Sequence, residues 1–228
     1  MAKLYIVATP IGNLEDITYR AVRILSEVDL ILCEDTRVTQ RLLKKYDIHT
    51  PLQSYHAHTS EEKHQYILDV MVGHKDVALV SDAGTPTISD PGVKIIELAR
   101  EHPELEVEII AVPGASAATA ALSVSGIPSS EFLFLGFLPH KKGRETLFKE
   151  IADSKRTVVF YESPHRIMKT LIRLEELLSK KRRVMVGREL TKIHESSLRK
   201  TATKMREYFE EHPDEVRGEF VIVVEGER

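Results

Sequence analysis

The chain contains no tryptophan and a single cysteine, Cys33, among its 228 residues. One thiol cannot close an intramolecular disulfide, so a disulfide scaffold is excluded and a reducing cytoplasm is the expected setting. Long apolar runs are also missing. The longest, LYIVA (4–8) and FLFLGFL (132–138), fall far short of the roughly 20 residues that span a bilayer. The opening MAKLYIVATP carries one Lys and no small-residue cleavage pattern, so it reads as a first buried strand and not as a signal peptide.

Several chemical signatures are absent too. The expected first strand runs into ATPIGNLED, with one glycine where a dinucleotide fold needs G-x-G-x-x-G. The phosphate loop G-x-x-x-x-G-K-[ST] occurs nowhere. Both gaps argue against NAD and ATP. No G-x-S-x-G nucleophile elbow exists, and Cys33 falls inside an expected buried strand, which suits a structural thiol. HAHTSEEKH (56–64) gathers three histidines, but paired cysteines and H-E-x-x-H are both lacking. It reads as a surface loop, and no metal site is expected.

What is present is an ordinary globular composition, 42% hydrophobic and 29% charged. The length suits one large or two modest domains. Charge is split along the chain. Residues 1–113 carry 11 Lys+Arg against 18 Asp+Glu, whereas residues 114–228 carry 21 against 17. The basic half holds HKKGR (140–144), Lys155–Arg156, His165–Arg166 and KKRR (180–183). Such a split fits a polyanionic partner, and it equally fits solvated helix ends.

Apolar runs alternate with longer amphipathic ones. Strands are expected at 4–8, 30–33, 77–81 and 107–112, with an edge strand at 52–55. Helices fall near 16–26, 36–46, 60–73 and 91–102 between them. Near-continuous apolar strands argue a mostly parallel sheet covered on both faces. The second half repeats the rhythm, with strands at 132–138, 157–162, 183–190 and 219–226 and helices at 144–153, 164–179 and 199–211. PGASAATAALSVSG (113–126) reads as a tightly packed helix joining a domain at 1–113 to one at 114–228.

The polar motifs fall at strand ends, where open α/β sheets bind ligands. One cleft between two domains, lined by all of these segments, is the economical expectation. SDAGTP (81–86) offers hydroxyls, a carboxylate and backbone amides. That suits a cationic small molecule with a ribose and an amino-acid end. It suits a phosphate less well, because Asp82 and Asp90 would repel it. Asp, Gly and Pro are also ordinary turn residues.

TPIGNLED (9–16), EDTR (34–37), VSDAGTPTISDPG (80–92), PGASA (113–117), GFLPHKKGR (136–144), YESPHR (161–166) and RELTKIHE (188–195) occur in this order. Together they closely resemble the rRNA small-subunit methyltransferase I family of the tetrapyrrole methylase superfamily, over residues 3–226. The resemblance implies two α/β domains of the tetrapyrrole methylase type with the cofactor cleft between them. It implies S-adenosyl-L-methionine as cofactor, and methyl transfer to the 2′-hydroxyl of a cytidine in 16S rRNA near the decoding centre. A homodimer in the cytoplasm, working on 16S rRNA or the 30S subunit, is likewise implied. The cofactor pocket would use Pro10, Gly84, Thr85, Ile88, Ser116, Ala117, Glu162 and Leu190, with either Thr85 or the nearby Asp82 facing the amino-acid end. The superfamily commonly has Gly-Asp-Pro where this chain has Gly84-Thr85-Pro86. Many relatives continue into a helical tail beyond the point where this chain stops; if that tail helps grip rRNA, this chain is expected to grip with less.

For the chemistry, Asp35, Glu189 and Glu195 are candidate bases, and Lys192 a candidate cation beside the reacting oxygen. Arg37, Lys141, Lys142, Arg144, His165, Arg166 and Arg188 are candidate phosphate contacts. Two other classes stay open at this point. One is a methyltransferase acting on a tetrapyrrole or another small molecule. The other is a non-catalytic RNA-binding assembly factor.

Overall fold

The structure is a computed structural model that describes residues 1–227. The chain divides into two compact units, Met1–Ser116 and Ala117–Arg228.

In the first unit, strands β1 (Lys3–Val7), β2 (Leu30–Cys33), β3 (Leu52–Ser54), β4 (Val77–Leu79) and β5 (Glu108–Val112) form one sheet, ordered β3-β2-β4-β1-β5. Every pairing is parallel, and Tyr5 sits in register between Ala78 and Ile110. All four residues of β2 are buried, as a strand covered on both faces requires. Helices α1 (Tyr19–Glu27) and α2 (Thr36–Lys45) cover one face through Ala21, Ile24, Leu25 and Leu43. Helices α3 (Glu61–Val72) and α4 (Val93–Glu101) cover the other through Ile67, Leu68, Met71 and Ile95. Each of these Ile, Leu and Met side chains contributes about 1.5–3 kcal/mol when fully buried. The helix starts are set locally. Thr18 Oγ1 accepts from Ala21 N to open α1, and Asp35 Oδ1 accepts from Arg37 N to open α2.

The second unit begins with α5 (Ala117–Ser125). It continues as β6 (Phe132–Phe137), α6 (Arg144–Asp153), β7 (Thr157–Glu162), α7 (Ile167–Leu177), β8 (Arg183–Arg188), β9 (Ser196–Thr201), α8 (Ala202–Glu211) and β10 (Phe220–Val224). Its sheet is ordered β6-β7-β10-β8-β9. Phe148, Leu171, Leu174, Met205 and Phe209 bring α6, α7 and α8 onto one face. Ala118, Ala121 and Leu122 bring α5 onto the other.

This sheet departs from the rhythm of the first. Only β6–β7 is parallel, and the other three pairings are antiparallel. The link between β8 and β9, residues 189–195, is too short for the crossover helix that a parallel pair needs. Strand β9 takes residues 199–201 from the helix expected over 199–211, which begins instead at Ala202. Its sequence SSLRKT holds one apolar residue, Leu198, because it is an edge strand whose pairing is carried by backbone and not by an apolar face. No helix among the described residues is long and apolar enough to cross a membrane.

Candidate functional site

The carboxyl ends of β1, β2, β4 and β5 carry loops that are stitched together. Thr9 and Gly84 exchange backbone bonds of 2.9 and 3.1 Å, joining the loop after β1 to SDAGTP. Thr9 Oγ1 donates to Ser81 O at 3.0 Å, and Ser81 Oγ donates to Gly84 O at 3.1 Å. Thr85 Oγ1 donates to Ala115 O at 3.2 Å, fixing the same loop to PGASA. Asp35 N donates to Asp82 Oδ1 at 3.0 Å, tying the end of β2 to the end of β4. Gly84 holds φ +87°, and a Cβ there would touch Ile11 at 3.4 Å, so the three loops close on glycine.

β2 and β4 are neighbours, but their following helices lie on opposite faces of the sheet. Their ends therefore splay at a topological switch point, where open α/β sheets bind ligands. The loop there is strained. Thr87 and Ser89 take φ of 72° and 70°, and a β-branched residue in that region is a genuine outlier. Ile88, held between them, is exposed.

The same place gathers acid. Burial raises the Asp90 carboxyl to about 6, with Glu34 and Asp82 adding to the shift. Burial also raises Glu34, helped by Asp82. Asp35 goes the other way. Its hydrogen bonds to the Arg37 side chain and backbone hold it down at about 2. Among the described residues, no ion pair reaches Glu34, Asp82 or Asp90. The switch point is therefore a partly desolvated negative site, favourable to a cation and hostile to a phosphate. Cys33, at the end of β2, is buried, and burial pushes its thiol up, which leaves it unreactive. Among the described residues, no group of three or more His, Cys, Asp or Glu is placed to hold a metal ion.

In the second unit several expected site residues are engaged with one another. Glu162, at the end of β7, is 1% exposed. It meets Arg144 Nη2 at 2.8 Å and Arg166 Nε at 2.7 Å, and accepts from Thr170 Oγ1 and Ser163 N. Arg166 also donates to Leu138 O, and Arg144 to Pro139 O. Both guanidiniums thus hold the β6 end and the start of α7 around a buried carboxylate. Arg188 is buried and donates to Arg217 O and His194 O. These three arginines spend their donors inside the protein, whereas Lys141, Lys142 and His165 are exposed.

RELTKIHE forms a tight turn after β8, with φ of +50° at Glu189 and +69° at Thr191. Lys192 Nζ lies 2.9 Å from both Glu189 and Glu219. Burial lowers the Lys192 ammonium, but the bonds to those carboxylates outweigh it and the net shift is upward. Burial raises Glu189, and Lys192 with the Glu219 amide reverses it, so that carboxyl is net lowered. Glu195 accepts from Thr191 N at 2.6 Å. Leu190 is buried against Gly187.

Pro10, Asp82, Gly84, Thr85, Ile88 and Ser116 thus lie in or beside the stitched loops of the first unit, and Ala117 begins α5. Sequence reasoning passed over Thr9, Ser81 and Glu34 as site residues. All three stand in the quoted motifs, where an apolar strand gives way to polar residues.

Residues 3–206 match the family described as Tetrapyrrole (Corrin/Porphyrin) Methylases. The ribosomal RNA small subunit methyltransferase I of Thermotoga maritima is 46% identical over 227 residues, 99% of each chain. That of Bacillus subtilis is 44% identical over 99% of this chain and 76% of its own length. The chain belongs to the ribosomal RNA small subunit methyltransferase I family, within the tetrapyrrole methylases. The Haemophilus influenzae relative of the same name is 44% identical over 98% of this chain and 78% of its own. Among solved structures, a cobalamin biosynthetic cobalt precorrin-4 methyltransferase superposes with a TM-score of 0.71 at 21% identity, covering 98% of this chain and 94% of that one. The uroporphyrin-III-C-methyltransferase of Thermus thermophilus gives 0.61 at 18%, with 98% and 94% covered. These two likenesses speak to the fold alone.

Proposed function

We propose that the protein methylates the ribose 2′-hydroxyl of a cytidine in 16S rRNA near the decoding centre, with S-adenosyl-L-methionine as methyl donor. The observation that carries the reading is the negative switch point of Glu34, Asp82 and Asp90, which no ion pair reaches among the described residues. S-adenosylmethionine is a sulfonium with an ammonium end, and it supplies an already electrophilic methyl group.

Pro10, Asp82, Gly84, Thr85 and Ile88 would hold it in the first unit, with Ser116, Ala117 and Leu190 as further contacts carried from the family resemblance. Glu162 belongs to that set too, acting through the arginine-clamped end of β7. The remaining task is to position a weak nucleophile, for which orientation supplies up to about 7–11 kcal/mol. Asp35 and Glu189 are both shifted away from the basicity useful near neutral pH. Lys192 is held charged, which suits it to stabilise a developing alkoxide. Lys141, Lys142 and His165 stay available to phosphates.

The test is transfer of labelled methyl to 30S subunits, to naked 16S rRNA and to uroporphyrinogen, followed by mapping of 2′-O-methyl positions. Label at one cytidine of the small-subunit RNA supports the reading. Label on the tetrapyrrole alone, or no binding of the cofactor by calorimetry, overturns it.

A further inference from the structure

The first unit is the acidic half of the chain, yet it carries a concave basic wall. Residues of α2 and of the turn into β3 line an open groove of about 730 Å³. Arg37, Arg41 and Lys44 stand along it at helical spacings of four and three, with Gln40 beside them. From Arg37 to Lys44 the helix rises about 10 Å, against about 3.4 Å of axis per phosphate along one nucleic-acid strand.

Arg37 is paired with Asp35 at 2.6 Å. Arg41 and Lys44 have no ion pair or hydrogen bond from their side chains among the described residues. Lysines in a last turn complement the helix dipole, which accounts for Lys44 and Lys45 alike. It does not account for a wall that also carries Arg41 and Gln40 and excludes Lys45. One carboxylate, Asp47, stands in the groove, 3.1 Å from His49.

The groove also has a direction. Arg37 begins it, two residues after Asp35, whose amide is bonded to Asp82 of the switch-point loop. The geometry points to the α2 groove as a track for the rRNA backbone, so that a strand presenting a ribose at the switch point continues over Arg41 and Lys44. This rests on the rRNA reading above and adds a contact surface in the unit whose net charge argues against one. It also offsets the arginines of the second unit that are spent on internal partners.

The test measures binding of a 16S rRNA fragment, and of the 30S subunit, across a salt series for the full chain and its variants. R41A/K44A is expected to weaken binding about tenfold and to reduce the slope of log affinity against log salt by about 1.4, at roughly 0.7 per single-strand phosphate contact. K45A, on the same helix but outside the groove, should leave the slope unchanged. Asp47→Asn suits the positive φ there and should tighten binding. A K45A slope change of about half that of the double variant, equal per charge removed, would reduce the effect to net charge and overturn the track. So would weakened 30S binding with unchanged fragment binding, which would make a ribosomal protein the occupant. A wild-type chain that binds the cofactor but no rRNA overturns the functional reading and the track together. Wild-type binding that the variants leave untouched overturns the track alone.

Discussion

Asp82 accepts a hydrogen bond from the backbone N–H of Asp35, across 47 positions of sequence and between neighbouring strands. Losing that acceptor leaves a part-buried amide unsatisfied, at a cost of about 1–3 kcal/mol. Asp82→Ala is therefore expected to lower the unfolding free energy by that order. It should also weaken S-adenosylmethionine binding by more than tenfold, because one of three negative charges is gone. Calorimetry and thermal melting check the two effects separately. Asp82→Asn should recover most of the stability and little of the affinity.

Glu162 is the only acid paired to Arg144 and Arg166 among the described residues. Glu162→Gln leaves two largely buried guanidiniums without a counter-charge. Breaking such a pair typically costs about 3–5 kcal/mol, and urea unfolding should show a loss of that size. A loss below about 1 kcal/mol would mean that the cluster is solvated and that the two arginines are free for substrate.

Asp90 supplies a pH signature. Its carboxyl titrates at about 6 in the folded protein, above the usual aspartate value. Between those values the folded state binds more protons than the unfolded state. Stability therefore falls as pH rises through that window and levels off above it. Asp90→Asn should remove this contribution. A bound cation favours the ionised carboxylate, so cofactor affinity should rise with pH through about 6 and binding should release protons. Heats measured in buffers of differing ionisation enthalpy report the release, and the Asn variant should lose it.

Gly92 opens α4 at φ +131°, and a Cβ there would lie 2.5 Å from Leu79 Cδ2. Gly92→Ala combines a disfavoured backbone with a clash at the end of β4. A Tm drop of several degrees is expected, with cofactor affinity reduced in parallel because the strained 87–92 loop shifts. Unchanged affinity would separate that loop from the cofactor site.

The sequence was legible where a strand is built on a continuous apolar run. LILC and TVVFYE begin and end as read, because burial on both faces leaves such a run, in the second bounded by Thr157 and Glu162. Strand β9 was not, since SSLRKT pairs through backbone at a sheet edge and shows no apolar alternation. The antiparallel pairings of β10 also escape a reading built on rhythm, because order along the chain does not fix neighbours in the sheet. Site residues on one motif were easy to group. What could not be seen was how distant charges combine. Arg144 and Glu162 lie 18 residues apart, and nothing local marks that arginine as internal. Likewise Glu34, Asp82 and Asp90 sit on two motifs, and only the adjacency of β2 and β4 makes them one negative site.

Cys33, sealed at the end of β2, makes the chain convenient for labelling. With its thiol buried and its ionisation suppressed, a cysteine introduced on the surface would be the one that maleimide dyes reach. The absence of tryptophan leaves the fluorescence window equally clear. A single dye at residue 45 and a single indole at residue 88 would then report RNA arrival and cofactor arrival as two independent signals from one molecule.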